Sequence, residues 1–258
     1  MKRLFLLAVS LFVFEILSAQ KTADIGIWGG IGSYTGDMTE IEHQSSLGPA
    51  GAVFVRYNFN PRESVRATVM LGNINATGAF ESHPWDFSKT VTDLSLMYEF
   101  NFFRYIMGSK KHWITTYLMG GLGVSVYPYE YDPVALTGVV AYLNASAPAL
   151  PPEYADAYKE TVTGVNIPLG FGFKFNIGER MAVGMEAQLR KYLDDRMDNL
   201  DDPRKFYTEG PTNSGAAGYW TTYTDAIHNN DWTFHLGIHV TYLFYRGGKK
   251  CPAYDEIN

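Results

Sequence analysis

Asp231–Tyr245 reads DWTFHLGIHVTYLFY. In an extended strand alternate side chains point to opposite faces. Trp232, Phe234, Leu236, Ile238, Val240, Tyr242 and Phe244 therefore share one face, and Thr233, His235, Gly237, His239 and Thr241 share the other. One face is apolar over its whole length and demands either a protein core or lipid. Aromatic residues at both ends of an aliphatic centre match a bilayer with interfacial girdles. The strand reads as the closing stave of a membrane β-barrel.

Within it, His235–Tyr242 (HLGIHVTY) resembles the last-strand signal read by bacterial outer-membrane assembly machinery. Working back to the start, Lys2 and Arg3 precede an apolar run, Leu4–Phe14, and Leu17-Ser18-Ala19 offers a small residue at a cut. The run is shorter than the roughly 18 residues of a spanning helix and Glu15 interrupts it, so residues 1–19 read as a cleaved signal peptide. Composition agrees with export to an outer membrane: aromatics are 15%, yet mean hydropathy is only −0.13. Both follow if half of each strand faces lipid and half a polar interior. With a net charge of −6 and no basic cluster beyond Arg246–Lys250, nucleic acid is excluded as a partner.

The same alternation recurs in seven earlier stretches, at about 23–34, 48–59, 64–77, 89–103, 113–127, 162–175 and 181–194. The fold expected over residues 20–245 is an all-β, eight-stranded antiparallel transmembrane up-and-down barrel with long extracellular loops, followed by a periplasmic tail, 246–258. Connections alternate in length: Asn60–Glu63, Arg104–His112 and Asn176–Arg180 are short, whereas Thr35–Leu47, Gly78–Ser88, Pro128–Thr161 and Asp195–Asn230 are longer. Short turns belong at the periplasmic end, which places both termini there, in a protein integral to the outer membrane. A soluble lipocalin-like cup is the alternative, and it requires apolar residues inside. Pro151–Glu160 (PPEYADAYKE) reads as one short helix within its loop.

Several residue groups are candidate sites. Arg56, Arg66, Lys174 and Arg190 face inward with Asp93, Glu99 and Glu186. A barrel this narrow is filled by side chains, and buried charges are tolerated when paired. They read as a plug of salt bridges rather than an ion path. The glycine clusters at Gly29-Gly30, Gly120-Gly121 and Gly170–Gly172 are not phosphate loops, because strands continue on both sides where a helix would have to begin. They relieve crowding in a narrow barrel. His235 and His239 face the lumen without a serine or cysteine nucleophile beside them in the pattern, so no enzyme is expected. The acidic stretch Asp194–Asp202 lacks the acid spacing and glycine of a calcium loop and reads as a solvated surface loop, with calcium as the alternative. No metal and no cofactor are expected. Cys251 is the single cysteine, and in an oxidising compartment an odd cysteine suggests an intermolecular disulfide or a free thiol.

Ser33–Met38 (SYTGDM), Val55–Val69 (VRYNFNPRESVRATV), Tyr98–Phe103 (YEFNFF), Thr116–Gly123 and the ending Tyr242–Tyr254 with its Cys-Pro pair resemble the PorG-like barrels of Bacteroidetes. That family is similar to the eight-stranded outer-membrane component of the type IX secretion system. The resemblance covers nearly the whole mature chain and implies protein transport by scaffolding rather than catalysis: a barrel anchoring a periplasmic ring of lipoprotein and partner subunits. Implied partner-facing positions are Asn60, Pro61 and Arg62, the turn Asn176–Arg180, and Lys249, Lys250 and Cys251 on the tail, with Cys251 contacting a ring subunit. A surface adhesion or resistance barrel acting through its long loops is the alternative function.

Overall fold

The computed structural model describes residues 21–35, 40–41, 46–80, 83–131, 157–194, 196–199, 205–208, 219–222 and 231–246. Eight long strands carry the fold: β1 (Thr22–Thr35), β2 (Gly48–Asn58), β3 (Glu63–Phe80), β4 (His83–Asn101), β5 (Ile114–Tyr131), β6 (Tyr158–Asn176), β7 (Met181–Tyr192) and β8 (Trp232–Arg246). Each pairs antiparallel with its neighbour in sequence, and β1 pairs with β8, Ile27 opposite Val240. The ring is closed. No stave is left with an unpaired edge, which is the condition for strands to stand in hydrocarbon.

The two faces of the wall are chemically opposite. Leu122 is 65% exposed, Ile27 62% and Leu94 60%, whereas Arg66, Glu99, Lys174 and Glu186 are 0% exposed. A lipocalin-like cup has the reverse arrangement and is ruled out by this pattern. The outward belt of aliphatic side chains, with Tyr57, Phe102, Phe103 and Trp113 near one end, has its favourable solvent in lipid.

At one end of the ring the staves are joined through residues 59–62, 102–113 and 177–180, and at the other through 36–47, 81–82, 132–157 and 193–231. These are called the turn end and the loop end. Gly78–Ser88 was expected to be a longer loop and is instead a hairpin extension, with Gly78 opposite Trp85 and Asn75 opposite Ser88. Two features support the extra length. Ser88 donates to Asn75 Oδ1 at 2.7 Å and Thr90 to Asn73 Oδ1 at 3.0 Å on the outer face, while Ile74, Ala76 and Phe87 pack inside. Polar outward residues mark where the stave leaves the apolar belt, not where it ends. The helix expected over Pro151–Glu160 is also corrected: Tyr158–Glu160 opens β6, with Lys159 paired to Glu130 at 2.7 Å, and residues 151–156 lie outside the described residues. Residues 1–19, expected to be a signal peptide, and the segment 247–258 lie outside them too.

Several inward glycines make room for rings. A Cβ on Gly26 would stand 2.3 Å from the Phe54 ring, and one on Gly184 would stand 2.4 Å from His239 Nε2. In the turn 102–113, Gly108 has φ 84°, a conformation that an L side chain would strain.

Candidate functional site

The bore holds a lattice of fully buried charges. Arg66 on β3 makes a two-pronged contact with Glu186 on β7, at 2.6 and 2.8 Å. Glu186 also accepts from the Tyr117 hydroxyl at 2.5 Å and from the Gln188 amide, and the Arg66 guanidinium lies 4.2 Å above the Phe54 ring. Lys174 donates to Glu99, and Arg56 stands between Glu99 at 3.4 Å and Asp24 at 3.6 Å. Arg190 donates to Asp93, which also accepts from Ser125 at 2.8 Å and Asn166 at 2.6 Å. Four cations (Arg56, Arg66, Lys174, Arg190) thus meet four acids (Asp24, Asp93, Glu99, Glu186), and this set sums to zero. Asp24 is the member the charge count from sequence missed. Its signal was the inward phase of β1, which sets it directly opposite Arg56.

The histidines join this lattice as hydrogen-bonded lumen residues. His239 Nε2 lies 3.1 Å from the Tyr117 hydroxyl and its Nδ1 3.2 Å from Thr241, while His235 Nε2 lies 3.1 Å from Thr233. Glu186 reaches His239 only through Tyr117.

At the loop end the acidic stretch departs from its expected solvated state. Met197 and Asp198 are 0% exposed. The segment folds back into the mouth, where Trp85 Nε1 donates to the Asp198 carbonyl at 2.9 Å, Lys89 to the Arg196 carbonyl at 2.7 Å, and the Met197 N–H to Asp231 Oδ2 at 2.7 Å. The Tyr34 hydroxyl lies 2.6 Å from Asp231 Oδ1 and 3.0 Å from Asp198 Oδ2. Met197 inserts among Tyr34, Ile74, Tyr127, Tyr129 and Tyr192. Burial of these apolar side chains and satisfaction of the accompanying backbone groups outweigh solvation of the carboxylates. Among the described residues no group of three or more metal-ligating side chains is placed to hold an ion; Asp195, Asp201 and Asp202 lie outside them. Asp231→Ala removes the acceptor shared by Tyr34 and Met197, an expected local loss of about 1–3 kcal/mol. Limited proteolysis of the folded protein is expected to cut within residues 193–231 faster in this variant, while the barrel itself survives.

The turn end is built as one platform. Asn60 Oδ1 accepts from the N–H groups of Arg62 and Glu63 at 2.8 and 2.9 Å, so this side chain holds its own turn. The Pro61 carbonyl accepts from the Tyr105 N–H at 2.9 Å, tying the first turn to the second. Tyr105 donates to Asn176 Oδ1 at 2.6 Å, and the Asn176 amide donates back to the Ile106 carbonyl at 2.9 Å, tying the second turn to the foot of the third. Tyr105 and Met107 pack with Ala182 and Leu243. Arg62, Arg104, Lys110, Lys111 and Arg180 are exposed around this platform. Partial burial and then the charges of Arg104 and Lys111 lower the His112 pKa. Lys249, Lys250 and Cys251 lie outside the described residues.

A protein-family model described as a domain of unknown function, DUF6089, matches residues 2–254. The chain belongs to the DUF6089 family. No curated protein matches it. Similar solved structures include Ail, the attachment invasion locus protein of Yersinia pestis, in complex with the heparin analogue sucrose octasulfate, at 9% identity and TM-score 0.40, covering 87% of this chain and 100% of that one. Neisserial surface protein A is 8% identical with TM-score 0.42, covering 87% and 97%. The outer membrane protein OprG of Pseudomonas aeruginosa is 12% identical with TM-score 0.41, covering 87% and 98%. The barrel assignment rests on the closed ring and its two faces.

In this DUF6089 chain the strongest structural investment is thus at three levels: a neutral charge lattice in the bore, a folded-back loop at one mouth, and a knitted turn platform at the other. The inward charges were visible in the sequence by their phase. The platform was missed, because Arg104–His112 reads as an ordinary polar turn until Tyr105 and Met107 are seen to point back into the barrel.

Proposed function

We propose that this DUF6089 protein is a non-enzymatic outer-membrane component of a type IX protein secretion apparatus. Its turn end and C-terminal tail face the periplasm and dock a ring of lipoprotein and partner subunits. The observation that carries this reading is the filled bore: side chains committed to buried ion pairs leave no use for the lumen as a conduit, so the work of the molecule falls to its ends. The resemblance of its SYTGDM and RYNFNPR segments to PorG-like barrels supplies the system. The knitted turns supply a rigid surface for docking, and Cys251 supplies a thiol for close or covalent contact with a ring subunit.

Removal of the protein from its native host is expected to abolish export of proteins carrying C-terminal secretion signals. Crosslinking from outer membranes with tagged protein is expected to recover a periplasmic lipoprotein complex. In planar bilayers the purified barrel is expected to carry no steady ionic current. Recovery weakened by reductant, and altered migration of Cys251→Ser on non-reducing gels, would assign the contact to that thiol; identical migration removes the disulfide and leaves the scaffold. Unchanged export after removal, with no periplasmic partner recovered, overturns the reading and transfers function to the long loops.

A further inference from the structure

We propose that the turn end is a docking face for an acidic protein surface, recognised by Arg62, Arg104, Lys110, Lys111 and Arg180. The protein as a whole is acidic, with a net charge of −6, and the charge lattice inside the bore is neutral. These five exposed cations of the three turns stand out against that background, with Lys21 exposed at the same end. None of them makes a salt bridge with another described residue. Nearby acids are outnumbered: Glu63 is engaged by Asn60 and by the Tyr98 hydroxyl at 2.7 Å, and Glu179 is the single acid among the described residues of the three turns. At the loop end, by contrast, exposed Glu130 and Glu160 are matched by Lys159 and Arg196 at 2.7 and 2.9 Å.

Cations on mobile loops are usually just solvated, but these stand on a fixed mount. The three turns that carry them are joined by the Tyr105-to-Pro61 and Asn176-to-Ile106 hydrogen bonds and by Tyr105 and Met107 packing against Ala182 and Leu243. The Arg180 carbonyl is fixed in the same way, accepting from the Leu243 N–H at 2.8 Å. A charged face held in one geometry loses little conformational freedom on binding, and arginine forks match carboxylates in two-pronged contacts. Placement favours protein over lipid headgroups. Tyr105 and Met107 carry the middle of the second turn across the bore to Ala182 and Leu243, while its two ends, Phe102, Phe103 and Trp113, form the exposed aromatic rim where headgroups begin.

This inference rests on the reading that the turn end meets a periplasmic complex and names the chemistry of that contact. The full chain, refolded in zwitterionic detergent micelles, is tested against immobilised poly-glutamate and against phosphatidylglycerol vesicles. A charge-reversed variant, R104E/K110E/K111E, is compared after its barrel has been verified by heat-modifiable gel mobility; Lys159→Glu at the loop end is the control. The expected result is salt-sensitive poly-glutamate binding that falls by about tenfold or more in the charge-reversed variant and is unchanged in the control. In the native host the charge-reversed variant is expected to reach the membrane and fail to restore export. Equal poly-glutamate binding by wild type and variant overturns the proposal. So does charge-dependent binding confined to the anionic vesicles, which assigns the cations to headgroups. Full restoration of export by the charge-reversed variant also overturns it while leaving the secretion role intact. Unchanged export on removing the whole protein instead sinks the secretion role.

Discussion

Glu186→Gln is expected to destabilise the barrel by about 3–5 kcal/mol, because it strands the Arg66 guanidinium in the bore without its carboxylate. The environment offers no rescue by water: both side chains are 0% exposed. The amide keeps the volume of the carboxylate and can still accept one hydrogen bond from Arg66 or Tyr117, so the loss isolates charge rather than packing. Phe54 beneath the guanidinium recovers only part of it, since a cation–π contact contributes about 2 kcal/mol when desolvated. The check is the denaturant midpoint of the refolded barrel, read by loss of the fast-migrating folded band. The double variant Arg66→Met/Glu186→Gln removes the stranded charge and is expected to recover most of the lost stability. A double variant no more stable than the single one would show that the pair holds the wall by shape, not by charge balance.

The second large effect concerns a single methyl-sized space. Gly121→Val is expected to cost about 3 kcal/mol or more and to reduce assembly, because the wall cannot close over it. A Cβ at Gly121 would lie 2.0 Å from the Leu96 carbonyl oxygen and 2.7 Å from the Met97 Cα, and Met97 is its partner across the β4–β5 seam. Backbone cannot swing aside as a side chain can. Gly29→Val is the matched control: nothing lies within 4 Å of a Cβ there, the position faces outward, and β-branched residues suit strands. It is expected to leave the midpoint within about 0.5 kcal/mol of wild type. The comparison is made on folded yield in the membrane and on the denaturant midpoint. Equal losses at both sites would mean that strand flexibility, not the close approach at the seam, is what glycine supplies.

The faces of the wall were legible because a strand has a period of two and the bilayer accepts only one kind of surface. Leu94 and Leu96 outward with Asp93 and Ser95 inward is a pattern that needs no knowledge of the neighbouring strand. The closing stave, Trp232–Arg246, was legible for the same reason. Loop boundaries were less so. Gly78–Ser88 reads as a loop, but Gly78 stands opposite Trp85 and Ser88 opposite Asn75, on staves that continue past the apolar belt.

Amino-acid order by itself determined the strands, their inward and outward phases, and the set of charges that had to share the bore. It could not determine which charge meets which, nor that both mouths are covered by the chain's own segments. Arg66 and Glu186 are separated by 120 positions, Arg190 and Asp93 by 97, and Tyr34 and Asp198 by 164. Those meetings depend on the stagger between neighbouring staves accumulated around a closed ring, which sets the height of every inward side chain along the bore. Periodicity within a strand carries no record of that stagger. The same physics turned Met197 and Asp198 inward against the apparent polarity of their loop: the closed ring offered an apolar pocket of Ile74, Tyr127, Tyr129 and Tyr192 beside the donors Tyr34, Trp85 and Lys89, and only the assembled barrel creates such a place.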